Sequence, residues 1–81
     1  MRAELVDGLR KLGLTEYEAK AYAALAGMGE ATAREVNELS GVPRTRIYDI
    51  LRELSGKGFV ECVQGSPSYY RAVEPDHVIE R

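Results

Sequence analysis

Residues 31–54 constrain the fold more than any other stretch of this chain. Thr32 and Glu35 stand three apart at the head of an apolar-periodic run, the spacing of a capping box. In that arrangement the threonine hydroxyl and the glutamate carboxylate each accept a backbone N–H that the first helical turn leaves unbonded. Ala33, Val36 and Leu39 then recur at helical spacing as the inward positions. Gly41 supplies a turn, and Pro43 suits the first position of a following helix, where its missing N–H costs nothing. In that second helix, over about 43–55, Ile47, Ile50, Leu51 and Leu54 fall on one face. At about 100° per residue, Thr45, Asp49 and Arg52 point the opposite way, with Arg46 and Tyr48 on the flanks. Two helices joined by a short glycine-containing turn form the helix-turn-helix pattern. The leading residues of the second helix in that motif enter the major groove of DNA.

The flanking segments extend the motif. Leu5, Leu9 and Leu12, with Val6 beside them, make a helical stripe that stops at Gly13. Thr15 and Glu18 form another capping box, opening a helix with Tyr17, Ala21, Leu25 and Met28 on one stripe and Gly27 and Gly29 at its end. Gly56 and Gly58 stop the second helix of the motif. Residues 59–63 and 69–73 favour strands, and the intervening Gly65, Ser66, Pro67 and Ser68 form a turn cluster. Pro75 begins a last helical segment with Val78 and Ile79. The expected architecture is mainly α within the α+β class: a helical bundle carrying a C-terminal two-stranded β wing. It forms a single winged helix-turn-helix domain over 1–81, with 75–81 as the start of a dimerisation helix.

Composition closes off most other functions. Eighty-one residues make one domain with one core and no room for a separate catalytic lobe. No apolar run approaches the roughly 18 residues of a membrane span, and the N-terminus alternates charge and leucine rather than forming a secretory signal. One cysteine, Cys62, allows no internal disulfide, which fits a cytoplasmic protein, and on a strand it reads as a small buried hydrophobe. His77 is the sole histidine and has no ligand at metal spacing, so neither a metal site nor a catalytic triad is expected. No phosphate-binding glycine motif is present, no cofactor is implied, and no effector site is expected within these residues.

The formal net charge of −2 looks wrong for a nucleic-acid partner until it is divided along the chain. Residues 1–42 carry five Lys or Arg against seven Asp or Glu, and residues 72–81 carry Arg81 against three acids. Residues 43–71 carry Arg44, Arg46, Arg52, Lys57 and Arg71 against Asp49, Glu53 and Glu61. The local excess of positive charge therefore falls on the second helix and the hairpin, and local sign is what a phosphate backbone meets.

Within that region Arg44 and Arg46 stand at a helix start, where the helix dipole favours acids. Bases there oppose the dipole and suit phosphates or guanine edges. Thr45 and Tyr48 suit a phosphate or a thymine methyl, or else the surface and the rim of the core. Arg52 suits a phosphate or a pair with Asp49 three residues back. Asp49 suits orienting an arginine or accepting from a cytosine amino group, and reads first as structural. Arg34 opens the helix that crosses the DNA backbone in this motif. In the wing, Ser66, Ser68 and Tyr69 suit phosphates and Arg71 the minor groove, against the simpler reading of an ordinary exposed hairpin. Tyr17 and Tyr22 read as core. The expected partner is a double-stranded DNA operator bound by a homodimer, paired with the help of Leu5, Leu9 and Leu12 or of Val78 and Ile79. The rival reading is a winged helix that serves as a protein-interaction module.

Four runs of residues also carry a family resemblance. Residues 12–22, 31–36, 40–51 and 57–60, above all the run from Gly41 to Asp49, resemble the winged-helix domain of the archaeal TrmB-like transcriptional regulators. The resemblance covers nearly the whole chain from about Leu9. It implies sequence-specific operator binding as a dimer, with a larger effector-binding domain following the winged helix in many members. The wing departs from a strongly basic pattern, since residues 64–69 contain no Lys or Arg.

Overall fold

A computed structural model describes residues 3–73. The elements are α1 (Ala3–Lys11), α2 (Glu16–Met28), β1 (Glu30–Ala31), α3 (Ala33–Ser40), α4 (Arg44–Gly56), β2 (Val60–Val63) and β3 (Tyr69–Ala72). The expected helical segment from Pro75, with His77, Val78 and Ile79, lies outside the described residues. Both capping boxes form. Thr15 accepts from the Glu18 backbone N–H while Glu18 accepts from that of Thr15, and Thr32 and Glu35 repeat the arrangement. Gly41 caps α3 in the left-handed conformation at φ 79°, and its N–H donates to Asn37.

The sheet has three strands rather than the expected two. Its order is β1-β3-β2, all antiparallel, with Ala31 opposite Tyr70 and Cys62 opposite Tyr70 on the other side. β1 is two residues long and lies between the end of α2 and the cap of α3, too short to show any alternation in the sequence. It joins the helical half of the fold to the hairpin by backbone pairing.

The core is shared by all the helices and the base of the hairpin. Leu9, Leu25, Val36, Val42, Ile47, Leu51, Leu54 and Phe59 are all buried. Tyr22 and Tyr17 pack at its edge, as expected. The Tyr22 ring meets Phe59 edge-on at 5.6 Å, and its hydroxyl donates to the Val73 carbonyl. Three expectations fail at the margins. Leu39 is 56% exposed, because the inward face of α3 runs through Ala33, Val36 and Ser40 instead. On α1 Leu9, expected with Leu5 and Leu12 at a dimer contact, is buried in the core instead, while Leu5 and Leu12 are exposed and Val6 is half-buried. Cys62 is exposed at the edge strand β2, where the sheet has run past the end of the core.

One buried charge ties the two ends of this core together. Glu18 is 2% exposed, yet its carboxylate accepts from Lys57 Nζ at 2.7 Å as well as from the Thr15 N–H. A capping residue of α2 thus also holds the chain just past the end of α4. Burial on its own raises the Glu18 pKa. The hydrogen bond from Lys57, the Thr15 N–H, the Lys57 charge and the Thr15 hydroxyl outweigh it and hold the carboxyl below its ordinary value. A carboxyl depressed in the folded state contributes stability above its unfolded pKa, and that contribution is lost as pH falls through the folded value. The urea midpoint should therefore drop on acidification through and below the ordinary carboxylate range. Lys57→Met should cost about 1–3 kcal/mol at neutral pH, less than a fully buried pair because 39% of the Lys57 side chain remains in water. It should also flatten the acid limb, and urea melts of both proteins across pH check this.

Candidate nucleic-acid interface

The turn between α3 and α4 is held from three sides. The Val42 N–H donates to Ser40 Oγ, the Asn37 side-chain amide donates to the Val42 carbonyl, and the Val42 side chain is fully buried. These bonds satisfy a connection that would otherwise leave backbone polar groups unpaired near the core. They also fix where α4 begins. Its first residue is Arg44, with Pro43 as the N-cap, one residue later than the spacing suggested. Pro43 provides no side-chain cap, and no acid stands in the first turn.

The face division of α4 is as expected. Ile47, Ile50, Leu51 and Leu54 are its buried residues, while Arg44, Thr45, Arg46, Tyr48, Asp49 and Arg52 are exposed. Tyr48 is the hub of the exposed side. It is 60% exposed and borders three shallow cavities. The first, about 360 Å³, lies between α3 and α4 and is shared with Arg34, Asn37, Glu38 and Arg44. The second, about 530 Å³, reaches Thr32 and Arg34 on one side and Pro67, Ser68 and Tyr70 of the hairpin on the other. The third, about 280 Å³, contains Arg52, Ser55, Cys62, Gln64 and Tyr70. Arg34, Arg44, Tyr48, Arg52 and Ser68 thus lie around one surface that joins α3, α4 and the turn of the hairpin.

Of the four expected wing residues, Ser68 borders the second of these cavities, and Ser66, Tyr69 and Arg71 border none of the three. Residues along β3 alternate between the faces, with Tyr70 and Ala72 half-buried and Tyr69 and Arg71 exposed on the other side. Arg71 sits on the middle strand opposite Glu61 on β2 and Glu30 on β1. Its guanidinium bonds Glu61, and that bond, then the Glu61 and Glu30 charges, raise its pKa further above the ordinary arginine value. Ser66 is exposed in the turn, and the Ser68 hydroxyl donates to the Gly65 carbonyl.

The arginines divide by partner. Arg34 Nε bonds Glu38 at 3.2 Å and Arg52 Nη1 bonds Asp49 at 2.8 Å. All four side chains are at least 60% exposed, so each pair stabilises the fold by roughly 0–1 kcal/mol. Arg44 and Arg46 have no ion-pair partner among the described residues. Arg46 instead lies 5.8 Å from the centroid of the Tyr17 ring, a cation–π contact between α2 and the first turn of α4. Sequence spacing marked Tyr17 as core alone, because its second contact joins residues 29 apart in the chain. Asn37 was missed too: nothing in the α3 pattern shows that its amide closes the turn.

Comparison with known proteins places this arrangement. Residues 9–76 match the family described as "Sugar-specific transcriptional regulator TrmB". The chain belongs to the TrmB family. It is 44% identical over its full length to the HTH-type sugar sensing transcriptional regulator TrmBL1 of Pyrococcus furiosus, and covers 24% of that protein. It is 44% identical over 84% of its length to the DNA-binding HTH-type transcriptional repressor TrmBL2 of Thermococcus kodakarensis, covering 26% of it. The chain thus spans about a quarter of the length of these curated TrmB relatives. Among solved structures it resembles TrmBL2, an archaeal chromatin protein described as showing a novel mode of DNA binding. The TM-score is 0.85 at 41% identity, over 95% of this chain and 31% of that one. A MarR family regulator from Silicibacter pomeroyi shares the fold at a TM-score of 0.70 and 22% identity, over 88% of this chain and 52% of that one. Against both, the four helices and the β wing are those of a winged helix. Among the described residues no helix is long and apolar enough to cross a membrane, and no His, Cys, Asp and Glu cluster could hold a metal.

The turn that orients α4 is open to a direct check. A Cβ at Gly41 would meet no atom within 4 Å, so Gly41→Ala should cost only the backbone term for a left-handed L-residue, about 1–2 kcal/mol. A larger loss in urea denaturation would mean that the turn is held by packing instead.

Proposed function

We propose that this chain is the DNA-binding part of a transcriptional regulator and recognises a double-stranded operator in sequence-specific fashion. α4 enters the major groove by its first two turns, and the hairpin lies along the backbone or minor groove. One observation carries this reading. Arg44 and Arg46, with no ion-pair partner among the described residues, stand at the N-terminus of a helix whose dipole they oppose. Apart from the contact of Arg46 with the Tyr17 ring, that placement opposes the helix dipole, and it suits an anionic partner approaching along the helix axis. Arg34, Tyr48, Arg52 and Ser68 around the same surface, and the names of the TrmBL1 and TrmBL2 relatives, support it.

In the same reading the protein acts in the cytoplasm as a homodimer, with half-sites about 34–36 Å apart. The exposed Leu5 and Leu12 on α1 are apolar surface available for such pairing. No effector site is assigned to these residues. A second reading, a protein-interaction module, is favoured by the back of α3. There the exposed Leu39 stands with Met28 amid Glu30 and Glu35, an acidic surface that repels DNA, with Glu38 on the border between it and the cavity shared with Arg44.

Arg46→Ala should cost about 1–3 kcal/mol of operator binding and relax specificity at one base pair, as expected of a bidentate guanine contact. Arg44→Ala should weaken all sequences alike and flatten the salt dependence by about one unit. Tyr17→Leu should reproduce part of the Arg46 loss, whereas Tyr17→Phe, which keeps the ring, should not. Amide shifts on adding random duplex DNA at low salt separate the two readings. Perturbation of residues 44–52 supports DNA binding, and an unmoved α4 supports the protein-interaction reading.

A further inference from the structure

We infer that Glu38 and Asp49 hold Arg34 and Arg52 out of sequence-independent contact with DNA, so that Arg44 and Arg46 alone meet the phosphates of an arbitrary duplex. This rests on the DNA-binding reading above and assigns the two carboxylates a role in discrimination.

Both carboxylates belong to the proposed DNA-facing surface. Asp49 is on the exposed side of α4, one turn before Arg52. Glu38 lies one turn after Arg34 on α3 and borders the cavity that also contains Arg44 and Tyr48. An acid at either position repels a polyanion, which is a poor choice for a surface meant simply to adhere to DNA. Nor do the pairs hold the fold together, since all four side chains are mostly in water.

Their effect appears when a phosphate approaches. If the pair stays closed, the arginine neutralises no phosphate and releases no counterion. If the pair opens, the guanidinium moves to the phosphate and leaves a bare carboxylate facing the backbone. Either route removes most of what a free arginine contributes to binding any sequence. A matched operator adds base contacts along α4, and those can offset the opening of the pairs. Discrimination then rises because adhesion to random DNA is suppressed, which is specificity obtained by disfavouring the wrong partner.

The test is the salt dependence of binding to a short random-sequence duplex, read by fluorescence anisotropy between about 50 and 200 mM salt. Each phosphate neutralised contributes a slope of about −0.9, so each DNA-bound chain should give about −1.8 unaltered and about −3.6 as Glu38→Gln/Asp49→Asn, both doubled where two protomers bind together. At about 0.1 M salt each freed arginine should raise random-sequence affinity about eightfold on the same relation. Loss of negative charge in general is controlled by Glu53→Gln. Glu53 is an exposed α4 acid with no ion-pair partner among the described residues, and its replacement should leave the slope unchanged. The gain from Glu38→Gln should vanish in an Arg34→Gln background, and that from Asp49→Asn in an Arg52→Gln background.

An unchanged slope in the double variant, or an equal steepening in Glu53→Gln, overturns the inference while leaving DNA binding intact. Absence of binding by both the unaltered chain and the double variant overturns the inference and the DNA-binding reading together. Binding by the double variant alone supports both.

Discussion

What α4 presents is set by what it hides. Ile47, Ile50, Leu51 and Leu54 are almost fully removed from water, and they occupy one side of the helix. A helix anchored by four such residues has no rotational freedom to spare, because turning it by one position would expose several of them and bury arginines in their place. The rest of the arrangement depends on that. α1, α2 and α3 supply the other walls of the core, and the Gly41 turn sets where α4 starts. The Glu18–Lys57 pair joins the first turn of α2 to the chain just past the last turn of α4.

The same anchoring explains how a chain of net negative charge can offer a cationic surface. Charge is sorted by helix face and by partner. Lys57 is committed to a buried carboxylate, and Arg71 lies between two acids on the outer face of the sheet. Arg34 and Arg52 carry exposed acids one turn away. Among the described residues the cations left without an ion-pair partner are Arg10 and Lys11 in the last turn of α1 and Arg44 and Arg46 at the N-terminus of α4, where Arg46 lies over the Tyr17 ring.

Much of this was legible in the residues. Capping boxes, glycine stops and apolar periodicity are local signals, each read within one or two helical turns, and the helices they mark within the described residues all form. The face of α4 was legible for the same reason, since four large aliphatic residues leave only one inward side. The margins were not. Leu39 and Leu12 fit a helical stripe as well as their buried neighbours do, but a stripe does not say how wide the neighbouring element is. On α3 the inward place passes to Ser40, whose hydroxyl the turn uses. β1 has two residues and no period to detect, and Cys62 lies beyond the reach of the core.

The candidate interface follows the same division. Sequence alone determined the helices, their caps, the turn and the inward side of α4, because hydrogen bonds and side-chain periodicity within a few residues decide them. It also determined that the positive excess falls in residues 43–71. Only the tertiary structure decided which cations are free. Whether Arg34, Arg46, Arg52, Lys57 or Arg71 meets an acid, a ring or open solvent depends on rotamers and on neighbours brought from other elements. Tyr17 reaches Arg46 across 29 residues and Glu18 reaches Lys57 across 39, contacts that exist only once the core has closed.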